Sequence, residues 1–338
     1  MKRFLVFAFL VIIFIALFGV AGFSWWKKNI EAPSSDTSSQ RFAITKGKSA
    51  SEIGEMLYGD GLIRNPLAFK FYVQISNKAK KIQAGEYTLS RHFTLAEIIE
   101  KLVSGPDELW ITIPEGLRRE EIVERFISVL RLDSESASVF RQQFLQGSEG
   151  QEGVLFPDTY LFPRNVIAQV VVDKMLKTFD TQYSVYYQVL LDEEAAGGLD
   201  NNGVITLASI LERETKTDEE RPIVAGILLK RLDAGWPLQV DATVQYGLAT
   251  SLCKGKIDCN WWPNLNSQDL EINSPYNSYK FAGLPPSPIA NPGLSSINAV
   301  VYPETSDYWF YLHDASGNIH YAQSLDGHNA NVRRYLGK

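Results

Sequence analysis

A run of twenty residues without a charged or strongly polar side chain, residues 4–23, constrains this chain more than any other feature. As a helix rising about 1.5 Å per residue, the run is long enough to cross a hydrocarbon core about 30 Å thick. A basic pair precedes it, and Trp25 and Trp26 with two lysines follow it, as is typical of a membrane interface. The run predicts a single N-terminal transmembrane helix within residues 1–26.

The alternative for this segment is a signal peptide that is cleaved after export. The apolar region of a signal peptide usually has only about 7–15 residues, and the small residues at 19–22 offer only a loose cleavage site. Lys27 and Lys28 nearly balance the basic residues of the N-terminal head, so the charge difference across the segment is small. A short basic head before one export segment still favours an N-terminus inside the cell. We expect a single-pass protein of the cytoplasmic (inner) membrane whose folded part lies outside, in the periplasm.

Beyond the anchor the chain divides into three parts. Residues 27–40 are polar and rich in serine, as expected of a linker. Residues 41–105 form a small module, and residues 106–338 form a larger domain in which helical and strand patterns mix, so the fold class is α+β. A chain of 338 residues with 45% hydrophobic residues can bury two cores. Its formal net charge of −6 argues against a nucleic-acid partner.

The module at 41–105 has a recognisable order of predicted elements. Ser49 and Glu52 have the spacing of a capping box at the start of its first helix. The predicted order is a strand at 42–45, helices at 49–58 and 66–76, a strand at 84–90 and a helix at 94–103. Within it, the segment FAITKGKSASEIGEMLYGDGLI (residues 42–63) resembles a LysM-like module, in which two helices pack on a two-stranded sheet. The resemblance implies contact with peptidoglycan, and the alternative is a spacer domain.

The segment at residues 202–215 (NGVITLASILERET) contains the best candidate for a catalytic side chain. With helical spacing, Glu214 shares the apolar stripe of Leu207, Ile210 and Leu211, whereas Glu212 lies on another face and can pair with Lys216. Desolvation raises the pKa of a carboxyl on an apolar face, which suits a general acid near neutral pH. The alternative is a structural glutamate at the edge of the core.

Polar residues are arranged regularly downstream of this segment. Residues 238–246 alternate with period two, which predicts a strand that presents Gln239, Asp241 and Thr243 on one face. Such a face suits a carbohydrate-binding cleft, and the alternative is the wet side of an ordinary strand. Residues 282–293 form a loop rigid with proline, and Tyr279 just before it could stack on a sugar or serve only in packing.

The remaining chemistry-bearing residues indicate no metal or cofactor. Cys253 and Cys259 lie six positions apart without a second pair or a nearby histidine, so we predict a disulfide and leave two free thiols as the alternative. The four histidines have no metal-ligand spacing, and we place His320 and His328 at the edge of the cleft. No nucleotide-binding or serine-hydrolase motif occurs in the sequence. A carboxylate is the best remaining catalyst.

Five segments taken in order resemble the YceG-like family. They are GVLFPDTY, ITLASILERET, RPIVAGILLKRL, LQVDATVQYG and SPYNSYKFAGLPPSPIANPG, and the likeness extends over nearly the whole chain. The loop with Cys253 and Cys259 departs from the family pattern. The resemblance implies a membrane-anchored enzyme that cleaves the β-1,4 bond between N-acetylmuramic acid and N-acetylglucosamine within glycan strands and leaves 1,6-anhydro ends.

The resemblance also implies roles for individual residues. Glu214, the second carboxylate of the E-x-E pair, is the expected acid and base, and the sugar's own C6 hydroxyl is the nucleophile. Residues that would hold the sugars are Gln239, Asp241, Thr243, Tyr246, Asn277 and Tyr279. Peptidoglycan glycan strands are the expected substrate, and peptidoglycan synthases are candidate partners by resemblance alone.

Two other hypotheses stay open at this stage. In one, the same fold and Glu214 direct water to the sugar with Asp241 as the second carboxylate, which makes the protein a muramidase. In the other, the chain is a non-catalytic wall-binding or scaffold protein anchored in the membrane. The end product of glycan digestion separates the first from the transglycosylase, and the effect of Glu214→Gln separates the second.

Overall fold

The computed structural model describes residues 2–190 and 195–337, and it has a mixed α+β architecture. Two compact units form: Met1–Trp110 with Leu161–Asn165, and Ile111–Tyr160 with Val166–Lys338. The first elements in chain order are α1 (Lys2–Ile30), β1 (Ser39–Ile44), α2 (Ala50–Gly59), α3 (Pro66–Ile75), β2 (Gly85–Ser90), α4 (Leu95–Ser104), β3 (Glu108–Thr112) and α5 (Arg119–Leu130). The next are α6 (Ser134–Gly147), β4 (Thr159–Pro163), α7 (Ala168–Val189), α8 (Asn201–Glu214), α9 (Arg221–Asp233), α10 (Asp241–Leu252), α11 (Leu294–Val301), β5 (Phe310–His313), β6 (Ile319–Ala322) and α12 (Leu325–Asn331).

The first unit contains the elements predicted for the small module. Strands β1 and β2 are antiparallel, with Phe42 opposite Tyr87, in a sheet of order β1-β2-β3-β4. Helix α2 begins with the predicted capping box, in which the Ser49 hydroxyl accepts from the Glu52 amide and the Glu52 carboxylate accepts from the Ser49 amide. Helices α2, α3 and α4 bury their apolar faces with the inner face of β1 and β2 in one core.

The N-terminal helix α1 contains the apolar run at 4–23 and belongs to the first unit. Trp26 near its end packs against the core of that unit and stacks on Tyr72, with 6.1 Å between the ring centroids. In the part of the chain that the structure describes, no helix has the length and apolar character needed to cross a membrane.

Helix α8 is the centre of the second unit. It is buried on every side from Gly203 to Leu211, which agrees with an apolar sequence that leaves no polar face. The carboxylate of Asp200 caps its N-terminus by accepting from the Gly203 amide at 2.7 Å, and the Thr215 hydroxyl donates to the Leu211 carbonyl at its end. Only the last turn of α8 leaves the core, so the two glutamates of the segment lie where the buried helix meets the surface.

The predicted strand at 238–246 is wrong, because residues 241–252 form helix α10. Leu238 and Val240 are buried in the approach to the helix, and Ala242, Val244 and Tyr246 are buried within it. The apolar residues therefore alternate by coincidence across a helix start, and period two over nine residues does not distinguish a strand from such a segment. Asp241 is the first residue of α10, where a negative charge interacts favourably with the helix dipole.

Candidate active site

A cleft of about 480 Å³ opens in the second unit at the end of α8. Its wall is formed by the end of α8, helix α9, the turn before α10, the loop that contains Tyr279, strand β5, and α12 with the helical turn Val332–Leu336 that follows it. The side chains that line the cleft are Glu214, Arg231, Gln239, Asp241, Tyr279, Phe310, Tyr311, Leu312, His313, Leu325, His328, Val332 and Leu336. Charged and hydrogen-bonding groups thus meet aromatic and aliphatic surface, which is the composition expected of a sugar-binding site.

The carboxyl group of Glu214 has a pKa above its ordinary value. Desolvation raises its pKa to about 7, and the negative charge of Asp241 acts in the same direction. The Tyr311 hydroxyl opposes this effect by donating to Glu214 Oε2 at 3.0 Å, as do the charges of Arg213 and Arg231. A carboxyl with this pKa is protonated in part of the population at neutral pH and can both give and take a proton.

Tyr311 holds this carboxyl from the opposite wall of the cleft. Burial raises the pKa of its hydroxyl well above the ordinary value, so the hydroxyl keeps its proton and acts as a donor. Tyr311 lies on β5, 97 positions from Glu214 in the sequence. The bond fixes the orientation of the carboxyl and joins α8 to the β5–β6 hairpin.

Asp241 and Tyr279 form the second polar pair of the cleft. The Tyr279 hydroxyl donates to Asp241 Oδ1 at 2.7 Å, and desolvation raises the pKa of Tyr279 well above its ordinary value. Asp241 is the first residue of helix α10, and Tyr279 lies in the loop between α10 and α11, two residues after Asn277. A fixed carboxylate and a protonated phenol are therefore presented to the same space as Glu214.

The guanidinium of Arg231 holds together the backbone segments that carry Asp241 and Tyr311. Its guanidinium is 7% exposed and donates to the carbonyls of Leu238 at 2.6 Å and Trp309 at 2.6 and 2.9 Å. These bonds hold the turn before α10 and the start of β5 in place. Burial lowers the pKa of Arg231, while the acidic groups around it oppose that change.

Gln239 reaches the cleft through an unusual backbone conformation. Its φ of 55° lies in the left-handed region, where a residue with a side chain costs about 1–2 kcal/mol. The Gln239 amide donates to the Ser278 carbonyl at 3.0 Å, which ties this turn to the loop of Tyr279. Such strain at a cleft is typical of residues whose side chain must point in one direction.

The family of the chain follows from its sequence as a whole. A sequence model described as the YceG-like family matches residues 42–334. The chain belongs to the YceG-like family. The prediction made from five short segments is therefore confirmed over most of the molecule.

Relatives of this YceG-like protein carry one functional name. A protein of Bacillus subtilis (strain 168), named endolytic murein transglycosylase, is 30% identical over an alignment 318 positions long, gaps included, which covers 87% of this chain and 84% of that protein. A protein of the same name from Streptococcus pneumoniae is 27% identical over an alignment 366 positions long, gaps included, which covers 96% of this chain. The match covers 64% of that pneumococcal protein, so this chain spans less than two thirds of its length.

A solved structure supports the architecture. The 2.6 Å crystal structure of a YceG-like protein from Listeria monocytogenes is 28% identical to this chain. The likeness covers 87% of this chain and 99% of that one, with a TM-score of 0.55. The mixed α+β fold is therefore that of the YceG-like family.

The cleft brings together four of the seven site residues expected for this YceG-like protein: Glu214, Gln239, Asp241 and Tyr279. Thr243 is fully buried and shares a hydrogen bond with the Ser278 hydroxyl at 2.8 Å. Asn277 is also fully buried, and its amide donates to the carbonyls of Leu270 and Ile272 at 2.9 Å. Both residues shape the backbone that carries Tyr279, and neither lines the cleft.

Tyr246 also lies away from the cleft. It is 9% exposed and packs against Tyr276, with 4.7 Å between the ring centroids. The guanidinium carbon of Arg118 lies 4.0 Å from the centre of the Tyr246 ring. These contacts make Tyr246 a core residue of α10.

The prediction that Glu212 is a solvated neighbour of Glu214 is wrong. Its side chain is 6% exposed, and Oε1 accepts from Arg221 Nη2 at 3.1 Å. Its other oxygen accepts from the Gly293 amide at 2.9 Å and the Ser296 hydroxyl at 2.8 Å. The i,i+4 rule pointed to Lys216, but three partners from α9 and the start of α11 hold this carboxylate instead.

Three cleft residues have no local sequence signal that sets them apart, namely Arg231, Tyr311 and Phe310. Arg231 looks like an ordinary basic residue in the last turn of α9, and the other two belong to a short apolar strand. His328 lines the cleft as expected, whereas His320 lies away from it and contacts Asp314 at 2.9 Å. Among the described residues, no group of three or more acidic, cysteine or histidine side chains could hold a metal ion.

Cys253 and Cys259 form a disulfide, with 5.7 Å between their Cα atoms. The bond closes a short loop directly after α10, and Trp261 and Trp262 follow it. The aromatic pair packs against arginines: Arg118 lies 4.6 Å from the Trp261 ring centre and Arg213 lies 3.9 Å from that of Trp262. The loop with the disulfide is thus a structured part of the second unit.

Proposed function

We propose that this protein is a lytic transglycosylase that cuts the β-1,4 bond between N-acetylmuramic acid and N-acetylglucosamine within glycan strands. One observation supports this most: Glu214, with a pKa near 7, lies in an open cleft of a chain whose relatives are named endolytic murein transglycosylase. The products would be strands that end in 1,6-anhydro-muramic acid.

The reaction requires one residue that gives a proton and then takes one. Protonated Glu214 donates to the glycosidic oxygen while the bond from that oxygen to C1 of the muramic acid breaks. The C6 hydroxyl of the same sugar bonds to C1, and its proton passes to the Glu214 carboxylate, which restores the acid. The nucleophile belongs to the substrate, so it has a large effective molarity and no water needs activation.

The other cleft residues would support this step without exchanging protons. Tyr311 keeps the Glu214 carboxyl in one orientation, and Arg231 holds the two walls that carry Tyr311 and Asp241. The carboxylate of Asp241 is held by Tyr279 and places negative charge in the cleft, where an oxocarbenium-like transition state develops positive charge. Gln239 would donate to a sugar oxygen.

We also propose that the chain acts at the outer face of the cytoplasmic membrane. The apolar run at 4–23 with its flanking tryptophans and basic residues supports an anchor. The predicted linker at 27–40 is shorter in the structure, because α1 continues to Ile30 and β1 begins at Ser39, so residues 31–38 would serve as the linker. The module at 41–105 would contact peptidoglycan, and the domain at 106–338 would cut it. Strand cutting beside the membrane would bring the enzyme close to the peptidoglycan synthases.

A second candidate is a muramidase that uses the same acid with water as the nucleophile. The observation that favours it is Asp241, a second carboxylate in the cleft, whose charge acts on Glu214. Two carboxylates around one sugar are what a hydrolytic glycosidase requires.

One digestion tests both candidates. Wild-type protein and Glu214→Gln are incubated with purified sacculi, and the released ends are identified by mass spectrometry. Anhydro ends from the wild type alone support the transglycosylase, and reducing muramic acid ends would assign the muramidase instead. Glu219→Gln is the matched control, since Glu219 is an exposed glutamate five residues further on. Equal cutting by wild type and Glu214→Gln would remove Glu214 from the mechanism, and a wild type that never cuts would favour a non-catalytic scaffold.

A further inference from the structure

The second unit has another cavity, of about 690 Å³, away from Glu214. The start of α5, the end of α6 and the disulfide loop, which we define as residues 253–262, enclose it. Neither Glu214 nor any other wall residue of the cleft lines this cavity. We call it the loop groove.

The floor of the loop groove is rigid. Arg118 is 1% exposed and lies between the rings of Tyr246 and Trp261, at 4.0 and 4.6 Å from their centres. Its guanidinium donates to the Tyr246 carbonyl at 3.3 Å and to the Thr250 hydroxyl at 3.0 Å. This cation is fully bound within the protein, and its role is to hold the Trp261 wall.

Two other cations on the loop groove are free. Lys254 and Lys256 are exposed, and within the described residues neither has a carboxylate within 4.0 Å of its ammonium group. Arg119 and Arg141 differ. Arg119 donates to the carbonyls of Ser148 and Leu145, and its buried Nε lies 4.0 Å from Glu120, while Arg141 donates to Glu124. The two lysines are therefore the groups that can receive an anion.

The carboxylates of the loop groove also differ in whether an arginine pairs with them. Glu120 accepts from Arg118 at 3.3 Å, and Glu124 accepts from Arg141 at 2.9 Å. Glu149 is exposed and has no ion pair among the described residues. Two free cations and one free anion thus face a groove that also has apolar wall, including Ile257, which is 60% exposed.

The disulfide loop connects the groove to the catalytic helix. Trp262 covers the guanidinium of Arg213 at 3.9 Å, and its indole N–H donates to Glu121 Oε2 at 2.9 Å. Arg213 directly precedes Glu214 on α8. The disulfide loop therefore packs against the last turn of α8, which also carries Glu214.

We propose that the loop groove binds the peptide stem of the glycan strand. This inference rests on the proposed function, because the stem belongs to that substrate. A stem with a diamino acid carries several carboxylates, a free amine and methyl groups. Lys254 and Lys256 bind the carboxylates, Glu149 binds the amine, and the Ile257 and Trp261 surface receives the methyl groups.

A binding experiment tests the groove independently of catalysis. The probe is the N-acetylated tripeptide L-Ala-γ-D-Glu-meso-diaminopimelate, titrated by calorimetry into the detergent-solubilised full chain. Reversing both charges in Lys254→Glu/Lys256→Glu should weaken binding about tenfold, because two attractive interactions become repulsive. Lys174→Glu/Lys177→Glu is the matched control, since these lysines are exposed on α7. No binding by the wild type, or equal binding by the groove variant, would overturn the proposal.

A digestion experiment relates the groove to substrate choice. Each protein is given glycan strands with intact stems and the same strands after an amidase has removed the stems. We expect the groove variant to raise KM about tenfold on intact strands and to match the wild type on stripped strands. Equal effects on both substrates would make the lysines structural and contradict the proposal. A wild type that cuts neither substrate would refute the proposed function, while the calorimetric result would still decide the peptide site.

Discussion

The protonation state of Glu214 sets the pH range in which the cleft can act. Burial raises its pKa to about 7, so the acid form dominates below that pH and is lost tenfold per unit above it. We expect kcat/KM for glycan cutting to fall along a limb centred near pH 7 as the pH rises. Glu214→Gln should lower the rate about 10²–10⁴-fold, since it removes a general acid. A profile that stays flat between pH 6 and 9 would contradict this assignment.

The Tyr311 hydroxyl affects the pH at which the activity falls, because it changes the pKa of Glu214. It donates to Glu214 Oε2 at 3.0 Å and thereby stabilises the carboxylate, which lowers the pKa of Glu214. Tyr311→Phe should move the limb to higher pH and also slow the reaction, because the carboxyl loses its fixed orientation. Tyr308→Phe is the control, since Tyr308 precedes the same hairpin but stacks on Tyr321 and does not line the cleft. A slower Tyr311→Phe enzyme with an unmoved limb would limit Tyr311 to packing.

At the residue scale, the sequence predicts a candidate when the environment is local. Glu214 follows an apolar stripe on its own helix, and the raised pKa expected from that stripe agrees with the structure. The partner of Glu214 could not be found in this way, because Tyr311 lies 97 positions away and its strand has no special pattern. Glu212 was misjudged for the same reason, since Arg221, Gly293 and Ser296 approach only in the folded chain.

At the element scale, the Glu212 network joins the end of α8 to α9 and α11. The Glu212 and Arg221 side chains are 6% and 10% exposed, so each charge depends on the other. Glu212→Ala should destabilise the fold by about 3–5 kcal/mol, because it leaves the buried Arg221 charge less well compensated. Thermal unfolding measures this, with Glu219→Ala as an exposed control expected to change stability by about 0.5 kcal/mol or less. A Glu212→Ala protein that unfolds at the wild-type temperature would contradict the network.

Local signals predicted elements well where a helix start is encoded nearby. Ser49 with Glu52 and Thr94 with Glu97 form capping boxes, and their helices lie close to the predicted positions. Helix α10 lacks such a signal, because no side chain caps its start at Val240. Its small and apolar residues fit a buried helix as well as a strand, and packing around α8 selects the helix.

At the scale of the whole molecule, Glu152 makes stability depend on pH. This carboxyl is 8% exposed, accepts from the Arg119 amide and the Asn291 side chain, and has its pKa raised by burial to about 8. The folded state therefore holds a proton that the unfolded state releases above its ordinary pKa of 4.5. The free energy of unfolding should fall as the pH rises from 4.5 to 8, by up to about 1.4 kcal/mol per unit.

Glu152→Gln isolates this effect. The amide keeps the shape of the side chain and does not ionise, so the decline between pH 4.5 and 8 should be smaller in the variant. Calorimetric scans across this range measure the difference, and Glu149→Gln nearby serves as an exposed control. Parallel pH dependence in the wild type and Glu152→Gln would show that other groups are responsible.

The fold class and the family were predictable because each rests on several sequence segments taken together. The α+β class followed from mixed helical and strand patterns, and the family followed from five segments between residues 153 and 293, whereas the family model matches residues 42–334. The path of the chain was harder to foresee, because Leu161–Asn165 returns to the first unit after the second has begun. A short return of this kind depends on strand pairing between distant residues, which single-sequence patterns do not encode.

The elements that form the two walls of the cleft differ in how much of each is buried in the core. Helix α8 is buried from Gly203 to Leu211, whereas α12 has no buried residue. Amide protons of α8 should therefore exchange with solvent only through global unfolding, while those of α12 and the β5–β6 hairpin should exchange through smaller openings. Opening of the hairpin would break the Tyr311–Glu214 bond and widen the cleft on that side. If the protein is the transglycosylase proposed above, a cleft with one wall that stays folded and one that opens would take up a glycan strand from the side, without the need for a free strand end.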